Sequence, residues 1–127
     1  YCRWVAEEST VIVQIEHIEA VNNLDAILSV EHIDGCLVGP YDLSASLGIP
    51  GQFDHHDMRD ALNTVKKAIQ KKVKPFGFHV VRPEIQVAQA KMEEGYSFIA
   101  FGVDFLFLGE SCRENLNAFK NTVNVNL

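Results

Sequence analysis

The chain has 127 residues, 47% of them hydrophobic, and a formal charge of -6, which is enough apolar content for one packed core but the wrong sign for gripping nucleic-acid phosphates. No apolar run approaches the ~20 residues that span a bilayer, and the opening Tyr-Cys-Arg-Trp has no signal-peptide character. Cys2, Cys36 and Cys112 are odd in number and without a CxxC pair, which excludes a disulfide framework and a cysteine zinc site. The expectation is one unit over residues 1–127 in a reducing, cytoplasmic setting, with no nucleic-acid and no membrane partner. Tyr1 in place of Met, well before the first apolar run, reads as an opening inside a longer reading frame.

Val11 to Ile15 is a short β-branched run, as expected of a strand buried on both faces in a parallel sheet. Residues 19–30 follow as a helix, with Ala20, Leu24, Ile27 and Leu28 on one stripe and Asn22, Asn23 and Asp25 opposite. Residues 33–38 read as a second strand, residues 39–57 as a loop, and residues 57–72 as a helix with Ala61, Leu62, Val65, Ala68 and Ile69 inward. The helical spacing of Lys66, Lys67, Lys71, Lys72 and Lys74 suggests a solvated face. A third strand is expected over 75–81, then a helix from near Pro83 to Gly95 with Ile85, Ala88 and Met92 inward. Residues 97–101 give a fourth strand, and residues 111–123 a last helix with Leu116 and Phe119 facing the core.

Four βα units in succession imply a parallel sheet with right-handed crossovers, either open and doubly wound or part of a barrel. Neither GxGxxG nor GxxxxGKS/T occurs, so the barrel gains by elimination. In parallel α/β folds the working groups collect at the carboxyl ends of strands. Glu16 ends the first strand and Asp42 follows the second, so adjacent strands bring two carboxylates to one mouth. An oxygen-rich pair suits Mg2+ or Mn2+ better than zinc, with Co2+ also admissible. Spacing alone equally allows both carboxylates to form ion pairs with Lys or Arg from the rest of a barrel. Gly39-Pro40-Tyr41-Asp42-Leu43-Ser44 can present backbone N–H groups to an anion, or it is simply a tight turn capped by Asp42 or Ser44.

Val-Ile-Val-Gln-Ile-Glu at 11–16, Ala-Val-Asn-Asn-Leu-Asp-Ala-Ile at 20–27, Asp34-Gly35, Gly39 to Ser44 with Gly48, and Phe101-Gly102-Val103-Asp104 resemble the HpcH/HpaI aldolases. The resemblance spans nearly the whole chain. It implies the C-terminal half of a (β/α)8 TIM barrel from a metal-dependent enzyme that cleaves 4-hydroxy-2-oxo acids to pyruvate and an aldehyde. It further implies that Glu16 and Asp42 ligate the divalent ion, that Gln14 sits beside it, and that backbone N–H groups around Tyr41 and Asp42 hold the pyruvyl carboxylate. The family's catalytic His and Arg come from the other half of its barrel, so no catalytic residue is assigned here. A homo-oligomer, hexameric in the family and often with an exchanged last helix, is the implied assembly. A catalytically silent half barrel and an acyl-CoA lyase resembling the citrate lyase β chain are the alternatives.

Other residues carry bland expectations. His79 is a structural or supporting histidine, His17 begins the next helix, and Asp104 caps a helix or braces the barrel. His55 and His56 precede a helix and read as solvated loop residues; a His55-His56-Asp57 metal site is the lesser alternative, because adjacent side chains rarely converge on one ion. Phe98, Phe101, Phe105 and Phe107 belong to core or interface. His32 stands where the family commonly has glycine, and His56 where it commonly has proline.

Overall fold

Alternation along each strand sends one set of side chains beneath the helices and the other to the opposite, open face. The computed structural model, which describes residues 8–72 and 74–123, places four parallel strands in the order β1 (Ile12–Ile15), β2 (Gly35–Val38), β3 (Phe76–Val80) and β4 (Phe98–Phe101). Ile15 pairs with Val38, Val38 with Phe78 and Phe78 with Ile99. This row, with Cys36, Phe76 and Val80, faces the helices and is largely buried. Gln14, Leu37, Gly77 and Phe98 form one row of the open face.

The helices are α1 (Ile18–Asn22), α2 (Leu24–Ile27), α3 (Pro40–Ser46), α4 (His56–Lys72), α5 (Ile85–Glu93) and α6 (Asp104–Val123). Val21, Leu24 and Leu28 pack with Leu43, Met58, Ala61, Val65 and Ala68 over the covered face. Each fully buried Leu or Val there contributes roughly 1.5–3 kcal/mol. Cys2 lies outside the described residues, as do the side chains of Ile69 and Lys72.

Several expectations need correction. The helix expected over 19–30 is two short ones, broken at Asn23, whose backbone leaves the helical region at φ -103 and ψ 13 and whose N–H and side-chain Nδ2 share the Glu19 carbonyl at 3.0 and 2.8 Å. The expected loop over 39–57 contains α3, started by Pro40 in the first helical position. Ile85 and Met92 are exposed, 61% and 50%, and only Ala88 of the expected stripe is half-buried. Helix α6 begins at Asp104 rather than Ser111, and it has no buried residue among those described. Leu116 and Phe119 therefore do not face this chain's core; both are exposed. Phe101, Phe105 and Phe107 are exposed as well, while Phe98 covers Gly77 on the open face.

The lysine cluster is not a uniformly solvated face. Lys66 pairs with Glu94 at 2.8 Å and lies over the Tyr96 ring, tying α4 to the end of α5. Lys74 donates to the carbonyls of Leu28 and Ile33 and holds the turn before β2. That turn contains His32 at φ 64, the left-handed region that favours glycine. Buried Tyr96 packs at a tilt against Phe76 and edge-on against Phe78, and its hydroxyl has no partner among the described residues. Burial, with the nearby Glu94 and Cys36, pushes that phenol upward, and burial pushes the Cys36 thiol up to about 12.

Candidate metal and substrate site

β1 and β2 end side by side, because Ile15 pairs with Val38 and the Gly39 N–H still donates to the Ile15 carbonyl at 3.2 Å. The next residue of β1, Glu16, is half-buried and lies against Gly39. A Cβ on Gly39 would stand 2.7 Å from both Cγ and Oε1 of Glu16. Glycine here leaves the space that the Glu16 carboxylate occupies. Gln14, two residues back on the same open face, donates from Nε2 to Glu16 Oε1 at 3.0 Å and fixes the carboxylate's direction.

Gly39 is also the N-cap of α3, so Pro40, Tyr41 and Asp42 make up its first turn. The first backbone N–H groups of a helix have no intrahelical acceptor. Pro40 has none to offer, the Leu43 N–H returns to the Gly39 carbonyl at 3.0 Å, and the Tyr41 and Asp42 N–H groups have no acceptor among the described residues. The Asp42 side chain is exposed. Tyr41 is partly exposed and packs edge-on against Phe53 with ring centres 4.9 Å apart. Among the described residues neither Glu16 nor Asp42 is in an ion pair.

Two serines, Ser44, expected only as a possible turn cap, and Ser46, which the sequence did not mark, hold α3 in place. Fully buried Ser44 donates to the Tyr41 carbonyl at 2.7 Å and accepts from the Gly51 N–H at 2.9 Å, so it anchors the loop after α3 rather than capping a turn. Ser46 donates to the Leu43 carbonyl and accepts from the Ile18 N–H at 3.0 Å, joining α3 to α1. The readable signal for both was small polar residues on the side of the short segment where Leu43 is buried.

The remaining candidates sort cleanly. His17 caps α1 by accepting the Glu19 N–H at Nδ1, 3.1 Å, as expected. Asp104 accepts the Phe105 N–H at 2.7 Å at the start of α6. His79 lies on the open face of β3, with Nε2 3.3 Å from the Gly102 carbonyl. A cavity of about 510 Å³ opens beside α3, between α4 and α5, with Tyr41, Phe53, Met58, Val87 and Lys91 among its walls. No helix among the described residues is long and apolar enough to cross a membrane.

Four consecutive βα units in one parallel sheet, with candidate groups at the strands' carboxyl ends, make up half of a (β/α)8 barrel. The HpcH/HpaI aldolase/citrate lyase family matches residues 1–110, and the chain belongs to that family. It is 37% identical over 124 residues to 2-keto-3-deoxy-L-rhamnonate aldolase of Escherichia coli, covering 98% of this chain and 46% of that one. The HpcH/HpaI aldolase of Desulfitobacterium hafniense superposes with a TM-score of 0.78 at 30% identity, over 94% of this chain and 47% of that one. An aldolase/citrate lyase family protein of Burkholderia cenocepacia gives 0.79 at 29%, over 89% and 43%. The chain therefore spans about half the length of the relatives it matches.

Proposed function

We propose that this chain, read as one unit over residues 1–127, supplies the metal-binding half of a cytoplasmic aldolase that cleaves 4-hydroxy-2-oxo acids to pyruvate and an aldehyde. The observation that carries the reading is the Glu16 carboxylate, oriented by Gln14 and lodged against a glycine that also starts the helix bearing Asp42. Two carboxylates in no ion pair among the described residues fit a hard divalent ion, Mg2+ or Mn2+, with Co2+ admissible. Glu16 and Asp42 would hold such an ion, which would supply Lewis-acid stabilisation of developing negative charge, several kcal/mol in sites of this kind.

The chain's own groups do the rest of the positioning. Gln14 keeps one Glu16 oxygen engaged, which orients the carboxylate toward a ligand. The Tyr41 and Asp42 N–H groups point from the start of α3 and receive the pyruvyl carboxylate, while Ser44 and Ser46 keep that turn from shifting. Misplacement by about 1 Å in a site of this type costs on the order of 100-fold in rate, so these anchors matter to chemistry.

Assembly belongs to the same proposal. Helix α6 carries exposed Phe105, Leu108, Leu116 and Phe119, and the groove of Ile85, Ala88, Met92, Ile99 and Phe101 beside α5 is apolar and open. We read α6 as exchanged with a neighbouring subunit of a homo-oligomer, a hexamer by family resemblance.

The test is pyruvate release from a 4-hydroxy-2-oxo acid by the complete protein with Mg2+ or Mn2+. Activity that disappears with EDTA and falls at least 100-fold in Glu16→Ala and Asp42→Ala is expected. Full activity in both folded variants, or a requirement for a CoA thioester, overturns the reading.

A further inference from the structure

We propose that His55, His56 and Asp57 form a second metal site, separate from Glu16 and Asp42, that takes a borderline transition ion such as Ni2+ or Zn2+. Three consecutive residues ordinarily diverge, but here the chain changes from turn to helix between them. The His55 N–H closes the turn onto the Gln52 carbonyl at 3.0 Å, and the His55 carbonyl receives the Arg59 N–H as α4 begins. The His55 ring folds back so that Nδ1 accepts the Asp57 N–H at 3.3 Å.

Both imidazoles then meet one carboxylate. His56 Nε2 lies 2.9 Å from Asp57 Oδ1, and His55 Nδ1 lies 3.5 Å from Oδ2. The rings sit over each other with centres 4.3 Å apart. One ligand atom from each of the three residues falls within 4.8 Å of the others. Ligands sharing an ion at about 2.0–2.2 Å stand roughly 3–3.5 Å apart, so a modest contraction completes the set.

The side chains that must move are the free ones. His56 and Asp57 are 69% and 46% exposed, whereas His55, at 30%, is the better-held ligand. An ion would take the Nδ1 lone pair from the Asp57 N–H, a contact already long for a hydrogen bond. Asp54 and Asp60 outnumber Arg59 in the adjoining sequence, which favours a cation. Two imidazoles and a carboxylate match zinc or nickel and leave a position for water, whereas an all-oxygen pair prefers Mg2+ or Mn2+. The two sites therefore sort ions by ligand chemistry.

The experiment is calorimetric titration of Ni2+ into the complete, chelator-stripped protein and into His56→Asn, Asp57→Asn and Glu16→Gln. Wild type and Glu16→Gln should bind one Ni2+ per chain that each of the other two variants loses or holds at least tenfold more weakly. Zn2+ should also shift the His55 and His56 imidazole resonances of the wild-type protein, a readout that needs no variant to fold. Unchanged Ni2+ binding in His56→Asn and Asp57→Asn, or unmoved imidazole resonances, overturns the site. Because neither readout depends on aldol cleavage, its failure is distinct from failure of the aldolase reading.

Discussion

Gly39 has ordinary extended backbone angles, φ -95 and ψ 97, so nothing in its own conformation requires glycine. What requires it is Glu16, whose carboxylate occupies the volume a Cβ would fill. The displaced group is the end of a flexible side chain, so Gly39→Ala should change stability by less than about 1 kcal/mol while moving the carboxylate. The expected outcome is a 10- to 100-fold loss of Mn2+ affinity, the size seen when the support of a metal ligand is disturbed. Titrating Mn2+ by electron paramagnetic resonance checks it, and unchanged affinity would mean that Glu16 is not a ligand. His32 presents the opposite case, a side chain in a left-handed backbone. Its contact with Glu31 is highly exposed and adds little. His32→Gly should therefore raise stability by about 0.5–1 kcal/mol, measured by urea unfolding, since relief of the backbone strain exceeds the extra chain entropy of glycine. Glu94 adds a pH dependence. Burial raises its carboxyl, but hydrogen bonds and charges from Lys66 and Lys91 outweigh that and leave it below the usual value. A carboxyl depressed in the folded state stabilises fully above its unfolded pKa of about 4.3, and the gain is lost as pH falls through the lower folded value. With the side chain 36% exposed, Glu94→Gln should cost at most about 1 kcal/mol at pH 7 and progressively less below pH 4. Urea midpoints that differ equally at pH 7 and pH 3 would contradict the assignment.

At the scale of elements, the open face of the sheet shows why β3 and β4 fit together. Gly77 pairs with Phe98, and a Cβ on Gly77 would stand 2.3 Å from the Phe98 ring. An aromatic ring beside a strand cannot step aside as Glu16 can, so Gly77→Ala should destabilise by about 1–3 kcal/mol, read from thermal or urea unfolding. A variant as stable as the parent would show that Phe98 has another rotamer available. The same elements show how far the sequence was legible. Each strand was readable from its β-branched and aromatic run to within one or two residues, because a strand buried under helices must be apolar. The break at Asn23 was not, because the apolar stripe continues across it and the break is a local departure of the Asn23 backbone to φ -103 and ψ 13. Helix α3 was hidden for a different reason: with seven residues it is too short to show a helical period, although Pro40 marked its start. At the candidate site, Glu16 and Asp42 were visible as carboxylates at strand ends. The role of Gly39 was not, since a close approach across two strands leaves no local pattern. Lys66 and Lys74 were read wrongly because their partners, Glu94 and the Leu28 and Ile33 carbonyls, are 28 to 46 positions away.

For the whole molecule, the apolar residues that were misplaced from sequence share one cause. Ile85 and Met92 on α5, and Leu116 and Phe119 on α6, were assigned inward because their spacing is that of buried stripes. In this chain they are exposed, and so are Phe105 and Leu108. The spacing marks an apolar stripe but does not say what, if anything, covers it. An isolated apolar residue at a surface needs no explanation, but a groove running from Ile85 and Met92 to Phe101, together with a 20-residue helix that buries none of its own residues, exceeds what a soluble monomer ordinarily leaves uncovered. The groove and the helix are complementary in kind, each an apolar half of the packing that closes a βα unit. If a neighbour's α6 fills the groove, charge on the helix should loosen the assembly without touching the sheet. Leu108→Asp with Phe119→Asp in the complete protein should then shift light-scattering mass to a smaller species, while far-ultraviolet circular dichroism stays close to that of the parent. Reversing the view gives a second arm, because Met92→Asp in the groove should produce the same smaller species. A change with the helix variant but not with the groove variant would separate the two surfaces and place α6 against some other part of the assembly.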